Sequence, residues 1–187
     1  PAPGMTILAR PGVTQRGSMG AEVAALAGGD WAAPDLPGHG GEPPADWGEA
    51  AAAITGRLAR MAAPRCLLGY SMGGRLALAA AVADPGAVDR LVVVSAGPGI
   101  ASEGERRQRQ AEDRTLAAHI ETVGMPAFAR EWLTRPLFAG LARRTEEWRV
   151  ADLAARAANS AEGVAEALRR LGQGSQPYLG GRLGELP

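Results

Sequence analysis

The sequence predicts an α/β fold in which a mainly parallel sheet of about four strands is followed by a helical region. Over residues 1–99, short apolar runs alternate with longer segments of helical periodicity, which is typical of crossover units between parallel strands. From about Ser102 onward the strand signals disappear and Arg, Glu and Ala dominate. We therefore divide the chain into an α/β core over residues 1–99 and a helical region over residues 100–187.

Four apolar runs in the core are short enough to be strands. They cover residues 5–9, 31–35, 65–69 and 90–95. The second run leads into residues 36–44, which are dense enough in Gly and Pro to form a loop. The fourth contains Val92, Val93 and Val94, and this β-branched run predicts a buried strand.

Helical patterns lie between these runs, over residues 20–27, 46–62 and 72–83. Asp46 has the residue type and position of an N-cap for the second of them. Asp84, Pro85 and Gly86 separate the third from the last strand, because this combination favours a turn.

The helical region carries several signals of helix starts. Ser102 with Glu105 predicts a capping box before a helix that extends to about Val123, and Asn159 with Glu162 predicts another start. Pro126 and Pro136 each suit the first turn of a short helix, and residues 172–187 are loop-like. These helices either pack against the sheet as a bundle or form a lid over an active site.

Composition excludes several classes of function. The formal net charge is zero, so there is no overall electrostatic reason to bind nucleic acid or an anionic membrane. All 20 basic residues are Arg, so a single arginine is weak evidence for a site. No apolar stretch approaches the roughly 18 residues that span a bilayer, and we expect a cytoplasmic protein. The single cysteine, Cys66, lies in a strand-like run and is expected to be a buried structural thiol.

The segment Gly69-x-Ser71-x-Gly73 has the form of a nucleophile elbow. A predicted strand precedes it and a helical pattern follows it, which is the context that this turn requires. The glycines leave room for a strained backbone that presents the serine hydroxyl at the carboxyl edge of the sheet. An ordinary glycine-rich turn is the structural alternative.

The sequence resembles the α/β-hydrolase superfamily in residues 69–75 and in the upstream segment Asp35-Leu36-Pro37-Gly38-His39-Gly40. More narrowly, it is similar to the family of 2-succinyl-6-hydroxy-2,4-cyclohexadiene-1-carboxylate synthases. That narrower resemblance extends through Glu105-Arg106-x-x-Arg109, Asp113-Arg114, Glu131-Trp132-Leu133-x-x-Pro136-Leu137-Phe138, Arg156-x-x-Asn159 and Gln176-Pro177.

The resemblance implies a lyase of menaquinone biosynthesis that needs no cofactor or metal. Its substrate would be 2-succinyl-5-enolpyruvyl-6-hydroxy-3-cyclohexene-1-carboxylate, from which Ser71 would remove a proton as pyruvate leaves. The backbone amides of Met72 and Val13 would form the oxyanion hole. The family's substrate-binding residues fall on Tyr70, Arg75, Arg109, Trp132 and Arg156, and a substrate with three carboxylates suits such a set of guanidinium groups.

A serine of this kind needs a histidine and an orienting acid, which follow the serine in chain order in this superfamily. The sequence has only His39, expected to be structural in its loop, and His119, expected on the surface of a helix. Family members would continue beyond Pro187 with a strand that bears the acid and later a Gly-His pair. We therefore expect an incomplete α/β-hydrolase fold, a truncated triad and little or no activity.

Two further departures affect the expected structure. Pro11 stands where the family has a histidine before the oxyanion loop, and the run Val92 to Val94 would become an exposed sheet edge. The chain would then be a fragment, a decayed homologue, or a protein whose lid covers the gap. A serine esterase and a non-catalytic binding protein remain as alternative functions, and the oligomeric state is open.

Overall fold

The computed structural model describes residues 5–186, which form a parallel sheet with helices against it. The strands are β1 (Thr6–Arg10), β2 (Asp30–Ala32), β3 (Arg65–Tyr70) and β4 (Arg90–Val94). The helices are α1 (Ala21–Ala27), α2 (Trp47–Leu58), α3 (Met72–Ala83), α4 (Glu103–Leu133), α5 (Glu146–Ala157) and α6 (Ala161–Leu171). Short 3₁₀ turns cover Gly17–Gly20, Pro85–Ala87, Pro136–Arg143 and Gly180–Glu185.

The sheet has the order β2-β1-β3-β4, and every neighbouring pair is parallel. Leu8 of β1 lies opposite Leu67 of β3, and both side chains are fully buried. Since each strand leads into a helix before the chain returns to the sheet, the carboxyl ends of all four strands lie at one edge. The predicted class, a mainly parallel sheet of about four strands, is confirmed.

Two strand predictions need correction. The second strand ends at Ala32 rather than at residue 35, since Pro34 has no N–H to donate to a neighbouring strand. The fourth strand is not buried as predicted: Val92 and Val94 are 42% and 44% exposed. In the described chain β4 pairs on one side only, so alternate side chains of its valine run are open to solvent.

The predicted helix starts are confirmed with one exception. Asp46 caps α2 and Ser102 caps α4, each by accepting a backbone N–H three residues on. α6, however, is capped by Ser160, whose hydroxyl accepts from the Gly163 amide at 3.2 Å. Asn159 was the predicted cap, but its side chain instead makes long-range contacts.

α4 is interrupted at Gly124, whose φ of 76° breaks the helical ladder. The straight first part therefore ends at Val123, as predicted, and Pro126 lies in the first turn of the second part. α2 ends at Leu58, four residues short of its predicted end. No helix within residues 5–186 combines the length and apolar character needed to cross a membrane.

The helical segment, defined here as residues 103–171, shares one hydrophobic core with the sheet. Ile120 of α4 and Leu171 of α6 are fully buried in the same cluster as Leu67 and Leu76. Because burial of a large apolar side chain stabilises the fold by about 1.5–3 kcal/mol, this shared core holds the segment firmly over the sheet.

The first turn of α3 lies in direct contact with the end of β1. The Gly73 amide donates to the Pro11 carbonyl at 3.0 Å, and a Cβ at Gly73 would overlap the carbonyl oxygens of Arg10 and Pro11. A Cβ at Gly69 would lie 2.5 Å from the Gly73 carbonyl oxygen. Both glycines of the predicted elbow are therefore required by backbone contacts.

We expect Gly73→Ala to lower the free energy of unfolding by about 2 kcal/mol or more, since the added methyl group overlaps backbone that has little room to move. Gly56→Ala is the matched control, because Gly56 is also helical but a Cβ there meets no atom within 4 Å. The control should be more stable than the wild type by about 0.5–1 kcal/mol. Urea unfolding of the two variants measures both effects, and equal values would contradict the packing argument.

Candidate active site

Ser71 lies at the sharp turn between β3 and α3. Its backbone has φ 53° and ψ −116°, a conformation that non-glycine residues rarely adopt. The turn is fixed on both sides, because the Ser71 amide donates to the Val94 carbonyl at 2.9 Å and its carbonyl accepts from the Arg75 amide at 3.0 Å. This strand-turn-helix geometry is the one predicted from the Gly-x-Ser-x-Gly pattern.

Ser71 lines a cavity of about 340 Å³ between the carboxyl edge of the sheet and the helical segment. Six of the eight predicted site residues line this cavity: Val13, Ser71, Met72, Arg75, Arg109 and Trp132. Long-range packing, which sequence spacing does not show, has therefore brought together residues from the loop after β1, from the turn into α3 and from α3 and α4.

Arg75 contributes a largely buried cation to the cavity. Its Nη1 donates to the Leu171 carbonyl at 3.0 Å, at the end of α6, and its guanidinium lies 5.8 Å from the centre of the Trp47 ring. Burial lowers the pKa of Arg75 to about 10, so the group is still charged near neutral pH. Among residues 5–186, no carboxylate lies within ion-pair distance of it.

Arg109 is held more tightly than Arg75. Its Nε donates to Asp113 Oδ1 at 2.9 Å and its Nη1 donates to Gln173 Oε1 at 2.6 Å. Asp113 is 2% exposed and also accepts from the Gly174 amide at 2.9 Å. The resemblance assigns no role to Asp113 or Gln173, although the i, i+4 spacing of Arg109 and Asp113 is a local signal of this pair.

Trp132 forms part of an aromatic wall. Its ring stacks on Phe128 at 5.5 Å, and Phe138 lies 5.9 Å away on a tilted plane. The indole Nε1 is buried and has no acceptor in the described structure. Trp132 lines the cavity together with Leu116, Leu137 and Leu168, and this apolar part of the lining strengthens electrostatic interactions inside the cavity.

Val13 and Met72, the residues whose backbone amides are predicted to form the oxyanion hole, line the same cavity as Ser71. Met72 is the first residue of α3, where the helix leaves its N–H groups without intrahelical acceptors. Within the described range neither amide donates a hydrogen bond to the protein. Neither amide is therefore occupied by a protein acceptor, as the predicted oxyanion role requires.

Tyr70 and Arg156 do not line this cavity. Tyr70 lines a separate depression that includes Gln15 and Trp31. Arg156 is 2% exposed and is fully engaged, by Asp152 at 2.9 and 3.2 Å and by the Thr14 hydroxyl at 2.6 Å. Substrate contact by these two residues stays a prediction of the resemblance.

The two histidines have structural surroundings. His39 is fully buried, accepts from the Thr14 amide through Nε2 at 3.0 Å and lies 3.1 Å from the Pro37 carbonyl through Nδ1, so the neutral Nδ1–H tautomer fits both contacts. His119 is on the exposed face of α4 and pairs with Glu131 at 2.6 Å. Neither lines the Ser71 cavity, which agrees with the roles predicted for both.

The chain is similar to several known proteins. The model of the Alpha/beta hydrolase family matches residues 11–182. A putative 2-succinyl-6-hydroxy-2,4-cyclohexadiene-1-carboxylate synthase from Bacillus subtilis (strain 168) is 42% identical over 120 residues, which cover 64% of this chain and 44% of that protein. The synthase of the same name from Escherichia coli O1:K1 / APEC is 31% identical over 150 residues, which cover 78% of this chain and 58% of that protein.

A solved structure gives the same fold. MenH from S. aureus matches with a TM-score of 0.87 and 24% sequence identity, over 98% of this chain and 71% of that one. The chain spans about half the length of the curated relatives it matches.

Stability should fall in mildly acidic solution because of His39. Burial lowers the pKa of His39 from 6.5 to about 4, so the unfolded chain binds a proton in a range where the folded chain does not. The free energy of unfolding keeps its full value above pH 6.5. It falls by about 3 kcal/mol in total as the pH falls toward 4.

Urea unfolding at pH 7.5 and 4.5 measures this loss. We expect His39→Gln to lose less stability over this interval than the wild type, while Thr122→Val, an exposed substitution that removes no titratable group, should match the wild type. Equal pH dependence in all three proteins would contradict the account.

Proposed function

This chain belongs to the alpha/beta hydrolase family, and we propose that its site serves the elimination of pyruvate from 2-succinyl-5-enolpyruvyl-6-hydroxy-3-cyclohexene-1-carboxylate in menaquinone biosynthesis. The observation that carries the proposal is that Ser71 shares its cavity with two guanidinium groups, Arg75 and Arg109. Relatives that are 31–42% identical and carry the name of this synthase support the same reaction.

The charge of the cavity fits an anionic substrate. The ionisable residues that line it are Arg75, Arg109 and Asp113, so its formal charge is positive. Arg75 has no carboxylate partner in the described structure, and a buried cation without a partner is costly. A substrate carboxylate would relieve that cost through charge-assisted hydrogen bonds, which are roughly twice as strong as neutral ones.

The proposed reaction is a proton abstraction followed by elimination. Ser71 Oγ takes the proton from ring C2, the electrons of that C–H bond form a C2–C3 double bond, and the C3–C4 double bond of the substrate shifts to C4–C5. The C–O bond to the enolpyruvyl group breaks, and its three-carbon unit leaves and is protonated to pyruvate. The Val13 and Met72 amides would stabilise the negative charge that develops on a substrate oxygen.

The serine needs a histidine to receive its proton, because a hydroxyl at its ordinary pKa is a poor base. His39 and His119 do not line the cavity. Ligand binding does not depend on this base, so a binding measurement tests the arginine site separately from turnover.

We further propose that the helical segment acts as a lid and that the reaction runs in the cytoplasm without a cofactor. The packing of α4 and α6 over the carboxyl edge supports the lid, since these helices supply the wall opposite Ser71. The proposed partner is a small carboxylate substrate, with no role for nucleic acid or a membrane.

Arg75→Met should weaken binding of benzene-1,3,5-tricarboxylate, a ring with three carboxylates, by about tenfold or more, because a charge-assisted hydrogen bond is worth about 1.5–3 kcal/mol. Arg107→Met is the matched control, since Arg107 is an exposed residue of α4 that pairs only with Glu103. Isothermal titration calorimetry measures both affinities. Equal affinities of the two variants would exclude Arg75 from the binding site.

Pyruvate release from the named substrate tests the reaction itself, and we expect it to be slow because no histidine among the described residues lines the Ser71 cavity. Turnover that is lost in Ser71→Ala supports the lyase, whereas hydrolysis of an aryl ester without pyruvate release would replace it with a serine esterase. Tricarboxylate binding with no turnover of either kind would contradict the lyase for this chain and leave a binding protein.

A further inference from the structure

Thr14 follows directly after Val13, and each of its polar groups makes a hydrogen bond to a distant residue. Its amide donates to His39 Nε2 at 3.0 Å, its hydroxyl accepts from Arg156 Nη1 at 2.6 Å, and its carbonyl accepts from Asn159 Nδ2 at 2.9 Å. The residue is fully buried and has φ 67°. A β-branched residue rarely adopts a positive φ, and such a conformation persists only where the surroundings impose it.

The groups that hold Thr14 come from two distant parts of the chain. His39 belongs to the loop after β2, while Arg156 and Asn159 lie at the junction of α5 and α6. Asn159 also joins these parts to each other, because its Oδ1 accepts from the Gly40 amide at 3.0 Å. Three segments therefore meet at a single residue of the loop that carries Val13.

The Arg156 guanidinium is committed to this junction. Its Nε and Nη2 donate to the carboxylate of Asp152, which is 5% exposed, and its Nη1 donates to the Thr14 hydroxyl. The ion pair neutralises the buried charge, and Phe138 lies 5.7 Å from the guanidinium carbon. Truncation of one partner in such a buried network leaves the other unpaired, so the contacts support one another.

We propose that Thr14 is a positioning residue, through which the junction of α5 and α6 sets the direction of the Val13 amide. The helical segment thereby organises one half of the oxyanion hole as well as covering the cavity. If the junction lifts from the sheet, the hydroxyl and carbonyl of Thr14 lose their partners and the Val13 amide is no longer held. The consequence for catalysis rests on the proposed function, but the coupling between the α5–α6 junction and the Val13 amide does not.

Two variants remove single contacts of Thr14. Thr14→Val deletes the hydroxyl that Arg156 donates to, and Asn159→Asp keeps the acceptor for Gly40 but loses the donor to the Thr14 carbonyl. Thr14→Ser keeps all three contacts. Thr122→Val is the matched control, because the Thr122 hydroxyl is exposed and bonds only to the Ala118 carbonyl.

Amide hydrogen exchange and ¹H–¹⁵N spectra of the full chain provide the readout. We expect Thr14→Val and Asn159→Asp to speed exchange at the amide of position 14 by about tenfold or more and to shift the Val13 resonance. Thr14→Ser and Thr122→Val should leave both unchanged. Unchanged exchange and an unchanged Val13 resonance in both test variants would overturn the proposal.

A second measurement uses the wild type and does not depend on how the variants fold. Exchange is followed in low concentrations of urea, where amides that open together share one free energy and one urea dependence. The Thr14 amide should open with the amides of α5 and α6. Opening of Thr14 at a lower free energy than those helices would overturn the coupling.

Kinetics separates the two proposals. In a chain that releases pyruvate, Thr14→Val should lower kcat by about tenfold with KM within twofold of the wild type, since the oxyanion hole acts in the transition state. A rise in KM of about tenfold, with kcat unchanged, would overturn the positioning role. A wild type that releases no pyruvate would contradict the proposed function alone, because the exchange measurements still decide the coupling.

Discussion

The contact between the first turn of α3 and the end of β1 is the constraint on which the site depends. Gly73 brings the α3 backbone against the carbonyl groups of Arg10 and Pro11, at a distance that no side chain permits. This contact fixes two things at once: the strained turn that presents Ser71 and the start of the loop that carries Val13. Ser71, Val13 and Met72 can line one cavity because these two backbone segments approach so closely.

The positive charge of the cavity above that contact comes from two arginines that lie on different helices. Arg75 belongs to the same helix as the serine turn, and it is oriented by the carboxyl end of α6, where helix carbonyls lack intrahelical donors. Arg109 comes from α4 and is held by Asp113 and Gln173. The helical segment therefore provides the apolar part of the cavity lining and also Leu171 and Asp113, which hold the two cations in place. The packing of the helical segment therefore also sets where the two cations lie in the cavity.

The junction at Thr14 gives the same segment a second point of contact with the core. Close backbone approach of Gly38 to Gly163 adds to it, since a Cβ on either residue would overlap the other's carbonyl. Neutral His39 belongs to this junction, because only an unprotonated Nε2 can accept the Thr14 amide. The protonation state of His39, the packing of the helical segment and the backbone of Thr14 are thus linked through buried hydrogen bonds, whose loss leaves polar groups unsatisfied.

The sequence by itself determined the elements whose signals are local. Alternating apolar runs gave the four strands, the glycines around Ser71 gave the elbow, and Asp46 and Ser102 gave two helix caps, because each signal acts within a few residues. Tertiary structure alone decided which strand face is exposed, that Ser160 rather than Asn159 caps α6, and that Arg75 and Arg109 reach the cavity while Arg156 turns to Thr14, 142 positions away. All basic residues of the chain are arginines, so their chemistry does not distinguish them. Only the packing of distant segments determines which guanidinium groups line the cavity and which is enclosed elsewhere by protein acceptors.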